Sequence, residues 1–82
     1  MPDETDTPAA PSRRQVFGGR LRELRTQAGR SQADVARAAG LDRAYYVGVE
    51  AGKRNISLDN VFALADALAV DIVELFTPPQ TK

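Results

Sequence analysis

Cysteine, histidine and tryptophan are absent from this 82-residue chain. Without Cys there are no disulfide staples, iron–sulfur clusters or catalytic thiolates, and without Cys and His there is no zinc finger. The missing imidazole also removes the usual general base at neutral pH. Ser12, Ser31 and Ser57 therefore have no activating partner, and the carboxylates sit mostly at cap or surface positions. Gly18-Gly19 lacks the lysine and the strand of a phosphate-binding loop. An enzyme is not expected, nor is a metal or a cofactor. No apolar run approaches the roughly 20 residues of a membrane-spanning helix. The acidic N-terminus lacks an apolar stretch, so no secretory signal is read and the expected compartment is the cytoplasm.

A formal net charge of zero hides a strong asymmetry. Residues 1–11 carry Asp3, Glu4 and Asp6 with no base. Residues 12–54 hold ten bases against four acids, and residues 55–82 hold one base against four acids. A basic block between acidic ends suggests a surface that faces a polyanion, although charge alone is equally compatible with solvated helix faces.

Residues 1–12 are rich in Pro, Thr and acids and read as a disordered tail. The ordered domain is expected over 13–77, with a short tail at 78–82. Phe17, Leu21, Leu24 and Ala28 share one face of a first helix that stops at Gly29. Gly18 and Gly19 are poor helix formers and weaken its first turn. Ser31-x-x-Asp34 is a capping-box pattern opening a second helix of about eight residues, with Val35, Ala36 and Ala39 as its stripe and Gly40 as its stop. Asp42 caps a third helix, from Arg43 to Ala51, which ends at Gly52. Ser57 caps a fourth, with Leu58, Val61, Phe62, Ala65 and Leu68 as its apolar positions, and Asp71 caps a short fifth before Pro78 and Pro79. Isolated helices this short are marginal in water, so they must share one core. The expected fold is a compact all-α bundle of five helices.

The second and third helices are joined by Gly40-Leu41-Asp42, a tight turn of helix-turn-helix type. The stretch S-Q-A-D-V-A-R-A-A-G-L-D-R-A-Y-Y-V-G-V-E-A-G-K-R-N-I-S-L, from Ser31 to Leu58, resembles the phage-repressor/Cro-type, or XRE-type, helix-turn-helix family. The likeness extends through Arg20 to Arg25 and Ala67 to Phe76, and it is most like restriction–modification controller proteins and small stand-alone regulators. It implies a lambda-repressor-like DNA-binding domain that reads double-stranded DNA as a two-fold dimer. It also implies that Gln32 meets a phosphate and that Glu50 pairs with Arg25 to hold the first helix on the third. Arg30 departs from the pattern, standing where the family usually has an apolar residue before the S-Q pair.

The third helix has the properties of a reader. At about 100° per residue, Ala44, Val47, Gly48 and Ala51 fall on one arc headed by Arg43, and Tyr46 and Val49 fall on the opposite one. Small side chains let a backbone sit deep in a major groove, and an N-terminal arginine reaches base edges there. Tyr45, bordering the arc, offers a hydroxyl to a phosphate or a ring to the core. Tyr46 reads as core. Lys53, Arg54 and Asn55 form a loop able to clamp phosphates, and Ala44 and Val47 are placed to touch thymine methyls. Because the arc is poor in donors, selectivity is expected from Arg43 together with DNA shape. Ile72, Val73, Leu75 and Phe76 cannot all face inward on so short a helix, so some of them, with Leu64, are expected to form a dimer interface. The alternative role is a protein-interaction module on the same scaffold, binding RNA polymerase or a toxin. Phage-type repressor, antitoxin and controller remain open within the regulator class.

Overall fold

The computed structural model describes residues 10–78, and the tails expected at 1–12 and 78–82 fall largely outside that range. Five helices follow one another: α1 Arg13–Gln27, α2 Gln32–Ala39, α3 Arg43–Glu50, α4 Leu58–Leu68 and α5 Ile72–Leu75. No described residue is in a strand. No helix among the described residues is long and apolar enough to cross a membrane.

Local signals set the helix ends. Ser31, Asp42 and Ser57 each accept the backbone N–H three residues on, which satisfies one orphan donor per helix. Asp34 does not complete the expected capping box; its carboxylate takes Arg37 instead, at 2.6 Å. The full box is at Ser12, assigned above to the tail, which exchanges hydrogen bonds with Gln15. Asp71 stands at the α5 N-cap without a side-chain bond. Gly40, at φ 71°, ends α2 in the left-handed region, and Leu41 N–H reaches back to the Ala36 carbonyl at 2.8 Å.

One core joins the helices: Leu21 and Leu24, Val35 and Ala36, Tyr46 and Val49, then Val61, Leu64, Ala65, Leu68 and Leu75. One expected face is shortened and one is rotated. Phe17, Leu21 and Leu24 face the core, but Ala28 is exposed at the C-cap, beyond the last helical residue Gln27. On α4 the inward stripe is Val61, Leu64, Ala65 and Leu68, which leaves Leu58 and Phe62 outside. Leu64 and Leu75 are 0% and 1% exposed, so neither has surface to offer a dimer partner. Val73 and Phe76 keep 65% and 61% of theirs, and Ile72 is half-buried.

Buried polar contacts fix the frame. Arg20 lies in the interior, where its Nε donates to the Glu74 carbonyl at 2.7 Å and its Nη2 to Glu74 Oε1 at 2.8 Å. Arg20 also pairs with Glu23, so one side chain ties α1 to α5. Arg30, the departure from the family pattern, donates to the Ala67 carbonyl near the end of α4, a place where carbonyls lack helical partners.

Candidate nucleic-acid interface

α3 turns Tyr46 and Val49 into the core and leaves Arg43, Ala44 and Ala51 exposed, with Val47 and Gly48 half-buried beside them. The small-residue arc is therefore the outward face. Asp42 caps the helix through its bond from Tyr45 N–H, at 3.1 Å, which sets Arg43 as the first helical residue. Arg43 is exposed, and its side chain makes no hydrogen bond or ion pair with the described residues.

Beneath that face lies a network centred on the Glu50 carboxylate, whose side chain is 4% exposed. Arg25 grips it with two donors, Nε to Oε2 at 2.6 Å and Nη2 to Oε1 at 3.1 Å. Tyr46 Oη donates to Oε2 at 2.7 Å and Gln32 Nε2 to Oε1 at 3.0 Å. The remaining Arg25 nitrogen, Nη1, donates to the Arg30 carbonyl at 2.9 Å. Four donors fill the acceptor sites of one carboxylate. Burial pushes Glu50 up, but the bonds from Arg25, Tyr46 and Gln32 outweigh it and hold the carboxyl below its ordinary range. The bond to Glu50 raises Arg25 in turn. Burial, and then the bond to Glu50, push the Tyr46 phenol well above its usual value. The network joins α1, α2 and α3 where the helix-turn-helix must be rigid.

The structure assigns several of the expected contact residues an internal partner. Gln32 spends one N–H on Glu50. Tyr45 Oη donates to the Asn55 carbonyl at 2.9 Å and receives Asn60 Nδ2 at 3.5 Å, so this hydroxyl anchors the α3–α4 loop. The Arg54 guanidinium lies 5.1 Å from the Tyr45 ring centroid, a cation–π distance. A Cβ on Gly48 would come 2.5 Å from Arg54 Cγ, so the missing side chain makes room for the Arg54 stem along α3. Lys53, Arg54 and Asn55 are exposed beside the end of α3.

Two groups were not singled out by reading the sequence. Arg13 and Arg14, at the start of α1, line one groove with Arg54 and Asn55, adding charge beside the loop. Gly18 is buried where α1 crosses α3, and a Cβ there would meet the Glu50 carbonyl oxygen at 2.2 Å. Both depend on which helices cross, and no local pattern carries that.

Comparison with known proteins gives the same fold. The solved structure of the restriction-modification controller protein C.AhdI from Aeromonas hydrophila is 54% identical, with a TM-score of 0.76, over 77% of this chain and 96% of that one. The hypothetical transcription factor NHTF from Neisseria is 39% identical, with a TM-score of 0.78, over 98% of this chain and 85% of its own. Control protein C.MunI of Mycoplasma sp is 40% identical over 62 residues, 74% of this chain and 84% of its own length. The helix-turn-helix family model matches residues 21–75, and the chain belongs to that family.

Proposed function

We propose that this protein regulates transcription by binding double-stranded DNA as a homodimer, with α3 in the major groove. The observation that carries the reading is the outward face of α3: an arc of small residues headed by an unpaired Arg43 and flanked by exposed Lys53 and Arg54. An arginine at the start of a recognition helix suits the two acceptors of guanine, and small neighbours let the backbone approach the bases. Ala44 and Val47 would meet the groove floor. Gln32, Lys53 and Asn55 would meet phosphates, which set register rather than sequence.

Dimerisation is supported by the apolar surface left outside the core. Val73 on α5, Phe76 just after it, and Leu58 and Phe62 on α4 are exposed. One module of this size covers little DNA, and a two-fold pair would engage half-sites roughly 34–36 Å apart. Among regulators, a restriction–modification controller is the role we favour, because the relatives named controller proteins align over most of this chain.

Arg43→Ala tests the reading. Binding to the DNA upstream of the protein's own coding sequence should weaken by about 10- to 100-fold, the equivalent of one bidentate base contact at about 1–3 kcal/mol. Binding to a scrambled duplex should change far less. Equal losses on both duplexes would mean that Arg43 touches only the backbone and that α3 does not read sequence.

A further inference from the structure

Two apolar grooves beside α1 share Arg13, Phe17 and Phe76. The first, of about 330 Å³, is also lined by Arg14, Arg54, Ile56, Leu58 and Val61. The second, of about 370 Å³, is also lined by Pro11, one residue after the described chain begins. The rings of Phe17 and Phe76 lie 5.6 Å apart, and Phe76 keeps 61% of its surface exposed. No carboxylate lines either groove. Arg13, Arg14 and Arg54 are exposed, and none forms an ion pair with the described residues. Three like charges therefore surround an apolar surface without a countercharge.

The countercharge is present in the sequence just before them. Residues 1–9 carry Asp3, Glu4 and Asp6 with no basic side chain, and then Pro8 and Ala9. An extended chain spans at most about 3.6 Å per residue, so Asp6 reaches about 14 Å from Ala10 and Asp3 about 25 Å. We infer that residues 1–9 occupy these grooves, with their acids against Arg13, Arg14 and Arg54, and that they compete there with DNA. The inference rests on the DNA-binding reading above and adds an intrachain control to it. Arg54 and Asn55 belong both to the first groove and to the loop flanking α3, so a carboxylate beside Arg54 must leave before a phosphate arrives. Exposed ion pairs are individually weak, which keeps the contact reversible, and the covalent tether raises its effective concentration. Pro8 and Ala9 give the apolar lining small side chains to cover it. Phe62 and Val73 line neither groove, which leaves them to the second copy proposed above.

The test compares the full-length wild type with a variant combining Asp3→Asn, Glu4→Gln and Asp6→Asn. In anisotropy across a salt series, the variant should bind both the upstream and the scrambled duplex about 3- to 10-fold more tightly at low salt, the order of two or three exposed ion pairs. The gain should fade as salt screens the charges, so its log K should fall more steeply with log salt than that of the wild type. Combining Arg13→Gln and Arg14→Gln separates contact from repulsion at a distance. In that background the gain should shrink; a gain of full size would mean that the acids repel DNA without occupying the grooves, and would overturn the inference. A second arm needs no DNA. Neutralising the acids should move the amide resonances of Phe17, Arg54, Asn55 and Phe76 in the free protein. Unmoved resonances with unchanged DNA affinity would overturn the inference and leave the DNA-binding reading standing. Moved resonances with unchanged affinity would overturn the competition. Resonances of Leu58 and Phe76 that shift with protein concentration, and equally in both proteins, would assign the grooves to a second copy instead. Failure of both proteins to bind either duplex at low salt would overturn the DNA-binding reading and the competition with it.

Discussion

A Cβ on Gly18 would lie 2.2 Å from the Glu50 carbonyl oxygen and 2.6 Å from that of Val49, backbone atoms that cannot rotate away. Gly19, one position on, has nothing within 4 Å of the same added atom. The two neighbours should therefore respond oppositely to alanine. Gly18→Ala forces α1 off α3 and should cost about 1–3 kcal/mol or more. Gly19→Ala relieves only helix entropy and should stabilise by up to about 1 kcal/mol. Urea midpoints of the two variants check this; a shared sign would mean that the helices do not cross so closely. From the sequence the pair reads only as a weak first turn, because helix propensity concerns a residue's own helix. The constraint on Gly18 comes from a carbonyl 32 positions away. Tyr46 was readable as core, since it shares its arc with Val49. The internal use of the Tyr45 hydroxyl was not, because it depends on the path of the α3–α4 loop.

Between elements, the Glu50 network decides how firmly the three helices of the motif are held. Its carboxyl is held below the ordinary value of about 4.3, so the folded chain binds fewer protons there than the unfolded chain. Its contribution to stability is complete above that value and is lost as pH falls through the lower folded one. Tyr46 has the opposite sign: burial and the bond to Glu50 raise it, so stability falls as pH climbs above about 10. Glu50→Gln leaves Arg25 without its countercharge and should cost about 3–5 kcal/mol at neutral pH. In that variant the acid loss should be shallower, which denaturation followed across pH 2–7 would show (roughly the range below and above the ordinary carboxylate value). An unchanged acid limb would mean that other carboxylates govern it. The pair of Arg25 with Glu50 came from family likeness. That Gln32 joins it was hidden, because the sequence offers Gln32 as a surface donor and only the crossing of α2 with α3 turns it inward. The tie from Arg20 to Glu74 spans 54 positions and has no local signature.

For the molecule as a whole, most of the helix boundaries were legible in Ser31, Asp42, Ser57 and the stop glycines, because capping chemistry is local. The facing of α4 was not. Leu58, Val61, Phe62, Ala65 and Leu68 form a helical stripe as regular as Val61, Leu64, Ala65 and Leu68, and packing by α2 and α5 selects the second. That selection leaves Leu58 and Phe62 outside, with Val73 exposed on α5 and Phe76 exposed just after it. Val73→Asp should shift the protein to monomer in sedimentation velocity and weaken DNA binding, with little change in protomer unfolding, since the side chain is exposed. Wild-type sedimentation would remove α5 from the interface.

The measurement that bears most directly on the account is anisotropy of the wild-type protein on its own upstream duplex and on a scrambled one, over a range of salt. The account predicts preference for the first duplex and, on both, log K falling linearly with log salt at a slope of several units, as expected when Arg and Lys side chains displace counterions. Salt-insensitive binding, or none to either duplex at low salt, would contradict it.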